Sequence, residues 1–134
     1  MKRKLIKLLT YGVKHREHSK VEAHLRVDCR VLPNIFVAGS ENGTFEHVHR
    51  TFARCIADNR RLAGWFETIA VGIRAVATAH PPHLPLVKIA FFCIGGRHRS
   101  VSVAELVKQK IESDQVKVEV QHLELEGRVI KQWI

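Results

Sequence analysis

The chain has 134 residues, 46% of them hydrophobic and 26% charged, which suits one folded core and excludes an extended disordered chain. Lys and Arg number 22 against 13 Asp and Glu, a formal net charge of +9 that favours polyanionic partners over basic ones. No uninterrupted apolar run reaches the roughly 18–20 residues of a membrane span, and Lys7 interrupts the short apolar stretch behind Met1-Lys2-Arg3-Lys4, so no secretory leader is expected.

The first predicted element is a strand over Leu5–Val13, apolar at 5, 6, 8, 9, 11 and 13. Gly12 and the polar run Lys14–Lys20 follow as a loop with room for a helical turn. His24–Leu32 alternates apolar and polar residues, the pattern of a second strand, and Pro33-Asn34 ends it. Residues 38–43, Ala-Gly-Ser-Glu-Asn-Gly, are the clearest loop in the chain. Thr44 then opens a helix in which Phe45, Val48, Phe52 and Ile56 form one apolar stripe. Asp58-Asn59 breaks it, and a second helix carries Leu62, Phe66, Ile69, Ile73 and Val76 on one face.

His80-Pro81-Pro82-His83-Leu84-Pro85 is a stiff connector that cannot continue a helix. Leu86–Phe92, apolar except for Lys88, reads as a strand covered on both faces. Ser100–Glu112 reads as a third helix with Val103, Val107 and Ile111 inward, and Gln115–Leu123 as a last strand. Strands separated by helices predict an α/β fold over residues 1–134 as a single domain. Its architecture is three layers: a mainly parallel sheet of about four strands with helices on both faces.

Cys29, Cys55 and Cys93 are odd in number, widely spaced and without a Cys-x-x-Cys pair. That pattern fits a reducing, cytoplasmic compartment and argues against a disulfide framework or a structural zinc site. No metal and no cofactor are expected. The positive charge is concentrated early, with nine Lys or Arg against three acids in residues 1–30, a net of +6. Lys2, Arg3, Lys4, Lys7, Lys14 and Arg16, with Arg97 later in the chain, are the candidate contacts to RNA or another polyanion.

Ligands of parallel sheets bind beyond the C-terminal ends of the strands. The richest stretch at that edge is Cys93-Ile94-Gly95-Gly96-Arg97-His98-Arg99-Ser100-Val101. Gly95 and Gly96 let the backbone turn and approach a ligand. His98, Arg99 and Ser100 stand where a helix begins, and its unpaired N–H groups favour an anion such as phosphate. Arg99 is suited to a bidentate pair and Ser100 adds a hydroxyl. Asp28 and Arg30 close the second strand beside this loop.

A second chemistry fits the same stretch. Cys93-x5-Arg99-Ser100 has the spacing of the phosphate loop of cysteine-dependent phosphatases, with a thiolate nucleophile, an arginine on the phosphoryl oxygens and an acid, here Asp28, for the leaving group. Phe92 stands before the cysteine where those enzymes usually carry His.

Three segments, Tyr11-Gly12-Val13-Lys14-His15, Asp28-Cys29-Arg30-Val31-Leu32-Pro33-Asn34 and Cys93–Val101, together resemble the C-terminal domain of the RapZ (YvcJ-like) family over about residues 5–123. The resemblance implies a cytosolic α/β domain that forms oligomers. In the best-known members it binds small regulatory RNAs, recruits a ribonuclease to them and senses the amino-sugar phosphate glucosamine-6-phosphate. Carried over by position, the phosphate pocket would use Gly95, Gly96, His98, Arg99 and Ser100, with Arg30, Asn34 and His15 nearby. Departures are Ile94 where the family usually has Thr, Ile35 for Pro, Val31 for an aromatic, and Gln121-His122-Leu123 where His-Arg is usual. Full members also carry an N-terminal ATPase domain. No Gly-x4-Gly-Lys-Ser/Thr occurs in this sequence, so P-loop hydrolysis is not expected of it.

Overall fold

The computed structural model describes residues 4–33, 45–83 and 86–125, with side chains of 45–48 set aside. The elements are β1 (Lys4–Gly12), β2 (Leu25–Asp28), α1 (Phe45–Asp58), α2 (Arg60–Ala79), β3 (Leu86–Cys93), α3 (Arg99–Ile111) and β4 (Val116–His122). The four strands form one all-parallel sheet in the order β2-β3-β1-β4. With the three helices this is a three-layer α/β arrangement. The predicted loop at 38–43 and Thr44 lie outside the described residues.

The strand order explains how the layers are filled. The steps β2 to β3, through α1 and α2, and β3 to β4, through α3, run the same way along the sheet. Right-handed crossovers therefore place all three helices on one face. The step from β1 to β2 runs the other way, and its connection crosses the opposite face. There Val13, Val21 and Ala23 pack on Leu9, Tyr11, Ala90 and Phe92. This third layer is thin, and its helical part is the 3-10 turn His18–Lys20.

Strand alternation feeds both sides. Ile6, Leu8, Val27, Val87, Ile89, Phe91 and Val118 meet Phe52, Ile56, Ile73, Val103 and Val107 from the helices. Asp58-Asn59 does break the helices, because the Asn59 side chain accepts from the N–H groups of Arg61 and Leu62 at 3.1 and 3.2 Å and so caps α2. α2 has the length and mean hydropathy, 1.2, of a membrane span. Its Leu62, Ala70, Ile73 and Ala77 nonetheless lie in the core, as on an amphipathic core helix.

The second strand is shorter than its alternation predicts. It stops at Asp28, and Cys29–Val31 form a 3-10 turn. The Asp28 carboxylate accepts the Arg30 N–H at 2.9 Å, and that local bond competes with continued pairing.

A buried polar chain ties three elements together on the helix side. Thr10 Oγ1 lies 2.7 Å from His122 Nδ1, and His122 Nε2 lies 2.8 Å from Glu105 of α3. Thr10 is fully buried, so removing the imidazole strands its hydroxyl and opens a cavity. His122→Ala is expected to lower stability by about 2–3 kcal/mol, read from the urea midpoint. An unchanged midpoint would show that the chain contributes nothing to the packing of α3.

Candidate anion site

Chain exits determine where a site can form. β1 leaves the sheet toward the thin layer and its neighbour β3 leaves toward the helices, so a crevice opens between their C-terminal ends. Gly12 and Cys93 pair across it, and Val13 and Lys14 extend the pairing by donating to the carbonyls of Cys93 and Ile94 at 2.9 and 3.1 Å. The loop after Cys93 folds back onto Gly12. Gly96 has a φ of 70°, in the left-handed region, and its α-carbon stands where a Cβ would lie 2.4 Å from the Gly12 nitrogen. The Glu124 carboxylate secures the seat, accepting from the Gly12 N–H and from Arg16 Nε, both at 3.0 Å.

The predicted site residues fall into distinct surroundings. Ser100 is fully buried, and its hydroxyl lies 3.3 Å from the Cys93 sulfur, which also accepts the Gly96 N–H at 3.2 Å. Arg99 opens α3 but turns away from the glycines. The residue is nine-tenths buried, and its guanidinium donates to the Leu32 carbonyl at 3.2 Å. No carboxylate pairs with Arg99 among the described residues. A buried guanidinium held by one carbonyl is costly unless an anion joins it.

Arg30 grips Asp28 in a two-point ion pair, 2.9 and 2.8 Å, and lies 5.2 Å from the centre of the Phe92 ring. That guanidinium holds the Asp28 carboxyl below the usual carboxylate range. Asp28 is therefore ionised near neutrality and poorly suited to protonate a leaving group. Burial, followed by the neighbouring Cys93, pushes the Cys29 thiol well up, so it stays protonated.

A cavity of about 700 Å³ opens beside Arg99, lined by Arg30, Leu32, Asn59, Arg61, Trp65 and others. Thus Arg30 and Arg99 share one cavity, while Gly95, Gly96 and Ser100 form the adjoining loop. His98 is half-buried at the start of α3. His15 is exposed, in the turn after β1, where its N–H is held by the Gly12 carbonyl. Asn34 lies outside the described residues, as do Lys2 and Arg3.

The basic residues do not gather into one patch. Lys14, Arg16 and Arg97 are exposed near the site. Lys4 stands at the other end of β1, about 26 Å away at ~3.3 Å per residue, and donates to the His80 carbonyl. Lys7 is half-buried in the middle of that strand.

Arg61 and Trp65 are two residues that the sequence reading did not single out for the site. Trp65 packs against the core, and it also lines the cavity. Their i, i+4 spacing puts both on one side of the first two turns of α2. Nothing in the sequence links those turns to Arg99.

Comparison with known proteins bears on the family of the chain. Residues 4–126 match the model of the RapZ C-terminal domain. A protein of Caldicellulosiruptor bescii described as "Nucleotide-binding protein" is 30% identical over 125 residues, 91% of this chain and 41% of that protein. The chain thus spans about two-fifths of the length of that relative. A match that runs from the first residue of β1 to just beyond β4 takes in the whole sheet and the loop at its edge, and the chain belongs to the RapZ C-terminal domain family.

Proposed function

We propose that this regulatory binding domain senses a phosphorylated amino sugar such as glucosamine-6-phosphate and passes that state to RNA and protein partners. The observation that carries the reading is Arg99: a residue nine-tenths buried at the C-terminal edge of the sheet, its guanidinium held by one carbonyl among the described residues. A phosphate supplies the charge and acceptors that this group lacks. Gly95, Gly96, His98 and Ser100 shape the adjoining loop, and Arg30, paired with Asp28, lines the same cavity. The proposed setting is the cytoplasm, in an oligomer, with residues 1–134 as one domain and a ribonuclease as partner. A calorimetric titration with glucosamine-6-phosphate tests it. Saturable heat supports the reading; silence with both that ester and inorganic phosphate overturns it.

RNA is the proposed second partner, supported by the net charge of +9 and by exposed Lys14, Arg16 and Arg97. Affinity for a structured RNA is expected to fall at least tenfold between about 50 and 200 mM salt, as released counterions require. Salt-independent binding in a gel-shift series would contradict an electrostatic interface.

One observation favours phosphatase chemistry as a second reading. The Cys93 thiol receives an amide N–H from its own loop and faces the Ser100 hydroxyl, the donors a thiolate nucleophile needs. Against it stand the ionised Asp28 and a sulfur that is almost wholly buried. Turnover of an aryl phosphate that disappears in Cys93→Ser would establish the enzyme; the binding reading expects none across about pH 5–8.

A further inference from the structure

We propose that the first two turns of α2 form the second half of the ligand pocket, with Arg61 sharing the phosphate with Arg99 and Trp65 packing against the ring that carries it. The inference rests on the phosphate-binding reading above and adds residues and a ligand class to it.

Charge in the cavity points to Arg61. Among the described residues three guanidiniums line it, but Arg30 is neutralised by Asp28 in a two-point pair. Arg61 and Arg99 remain, and neither has a carboxylate partner among the described residues. Two positive charges match one phosphate monoester, which carries nearly two negative charges at neutral pH. The side chain of Asn59 already occupies the Arg61 and Leu62 N–H groups. The start of α2 therefore offers its guanidinium rather than its backbone.

Shape points to Trp65. The cavity holds about 700 Å³, far more than a phosphate fills and within the range of small-molecule sites. Trp65 is half-buried and anchored on the core, with part of its surface on the cavity. An anchored indole beside a phosphate subsite presents an apolar face to a sugar ring or a nucleobase. Leu32 and Leu62 complete an apolar wall. The ligand class is thus a phosphate monoester on a ring, and free phosphate would leave most of the space unused. No carboxylate among the described residues lines the cavity, so an amino group on the ring gains no acidic partner from them.

The test is a set of calorimetric titrations of the full chain with inorganic phosphate, glucose-6-phosphate, glucosamine-6-phosphate and a nucleoside monophosphate. The proteins are wild type, Trp65→Ala, Trp65→Phe, Arg61→Gln and Arg99→Met. The expected pattern has four parts. A ring-bearing ester binds wild type at least tenfold more tightly than phosphate. Trp65→Ala removes that advantage while phosphate affinity holds. Trp65→Phe restores most of it. Arg61→Gln weakens phosphate and esters alike. Which ester wins identifies a sugar or a nucleoside as the ring. Equal affinity for phosphate and every ester, or an ester advantage that survives Trp65→Ala, overturns the inference and leaves the phosphate reading standing. Absence of any Arg99-dependent binding overturns both. Thermal unfolding of Trp65→Phe and Arg61→Gln separates lost contact from lost folding, since both are expected to melt close to wild type.

Discussion

Arg99→Met is expected to abolish phosphate-ester binding while leaving the unliganded domain as stable as wild type or more so. A charged hydrogen bond to phosphate contributes about 1.5–3 kcal/mol, so losing a two-point contact weakens binding about a hundredfold or more. The stability half of the prediction is the sharper one. The residue is nine-tenths buried, and its guanidinium is held only by the Leu32 carbonyl among the described residues. Replacing a poorly compensated buried charge with an apolar chain of similar length is neutral or stabilising, by up to about 1–3 kcal/mol. Thermal melts with and without a saturating ester would show both effects. Wild type gains about 2.7 kcal/mol at a ligand concentration a hundredfold above Kd, and the variant gains nothing. A variant that instead loses several kcal/mol without ligand would make Arg99 a structural residue and remove the main support for the proposed function.

A large stability effect is expected at Gly12, a glycine with no ligand role. A Cβ on Gly12 would lie 2.4 Å from the carbonyl carbon of Gly95 and 2.6 Å from its oxygen. Both are backbone atoms, so relief requires moving the whole Cys93–Arg99 loop. Gly12→Ala should cost about 3 kcal/mol and weaken anion binding with it. Gly96→Ala meets Gly12 in the same way and adds about 1–2 kcal/mol for its left-handed backbone. Gly64 in α2 is the control, because its Cβ would meet nothing within 4 Å. Gly64→Ala should stabilise by about 0.5–1 kcal/mol through helix propensity. Chemical denaturation of the three variants gives the order directly. A Gly12→Ala protein as stable as wild type would mean that the loop is not packed as described.

The predicted elements and the observed ones agree closely wherever burial sets the pattern. Leu86–Phe92 is covered on both faces and reads as an apolar run broken only by Lys88; Ile73 and Val107 recur at helical spacing because each helix has one face on the sheet. Agreement is poorer where a local polar bond overrides periodicity. His24–Leu32 alternates like a strand, yet Asp28 captures the Arg30 N–H and ends pairing early. The site was legible in part, since the Cys93–Ser100 run announces a glycine-rich turn into a helix. The directions of its side chains were not. Ser100 faces the Cys93 thiol rather than open solvent, and Arg99 turns toward Leu32.

The sequence by itself determined the fold class, the family and the glycine-rich loop at the sheet edge. The fold class and the loop depend on short-range pattern, namely strand period, helix period and the residues allowed at a tight turn, and the family on the resemblance of three short segments. Only the tertiary structure decided which residues share a cavity. Arg30 and Arg61 come from different segments and meet Arg99 because β2 pairs with β3 and α2 packs beside them. Glu124 holds Gly12 across 112 positions for the same reason. Contacts at such separations follow from strand order and crossover hand, and strand order is set by the packing of the whole sheet rather than by any local run of residues.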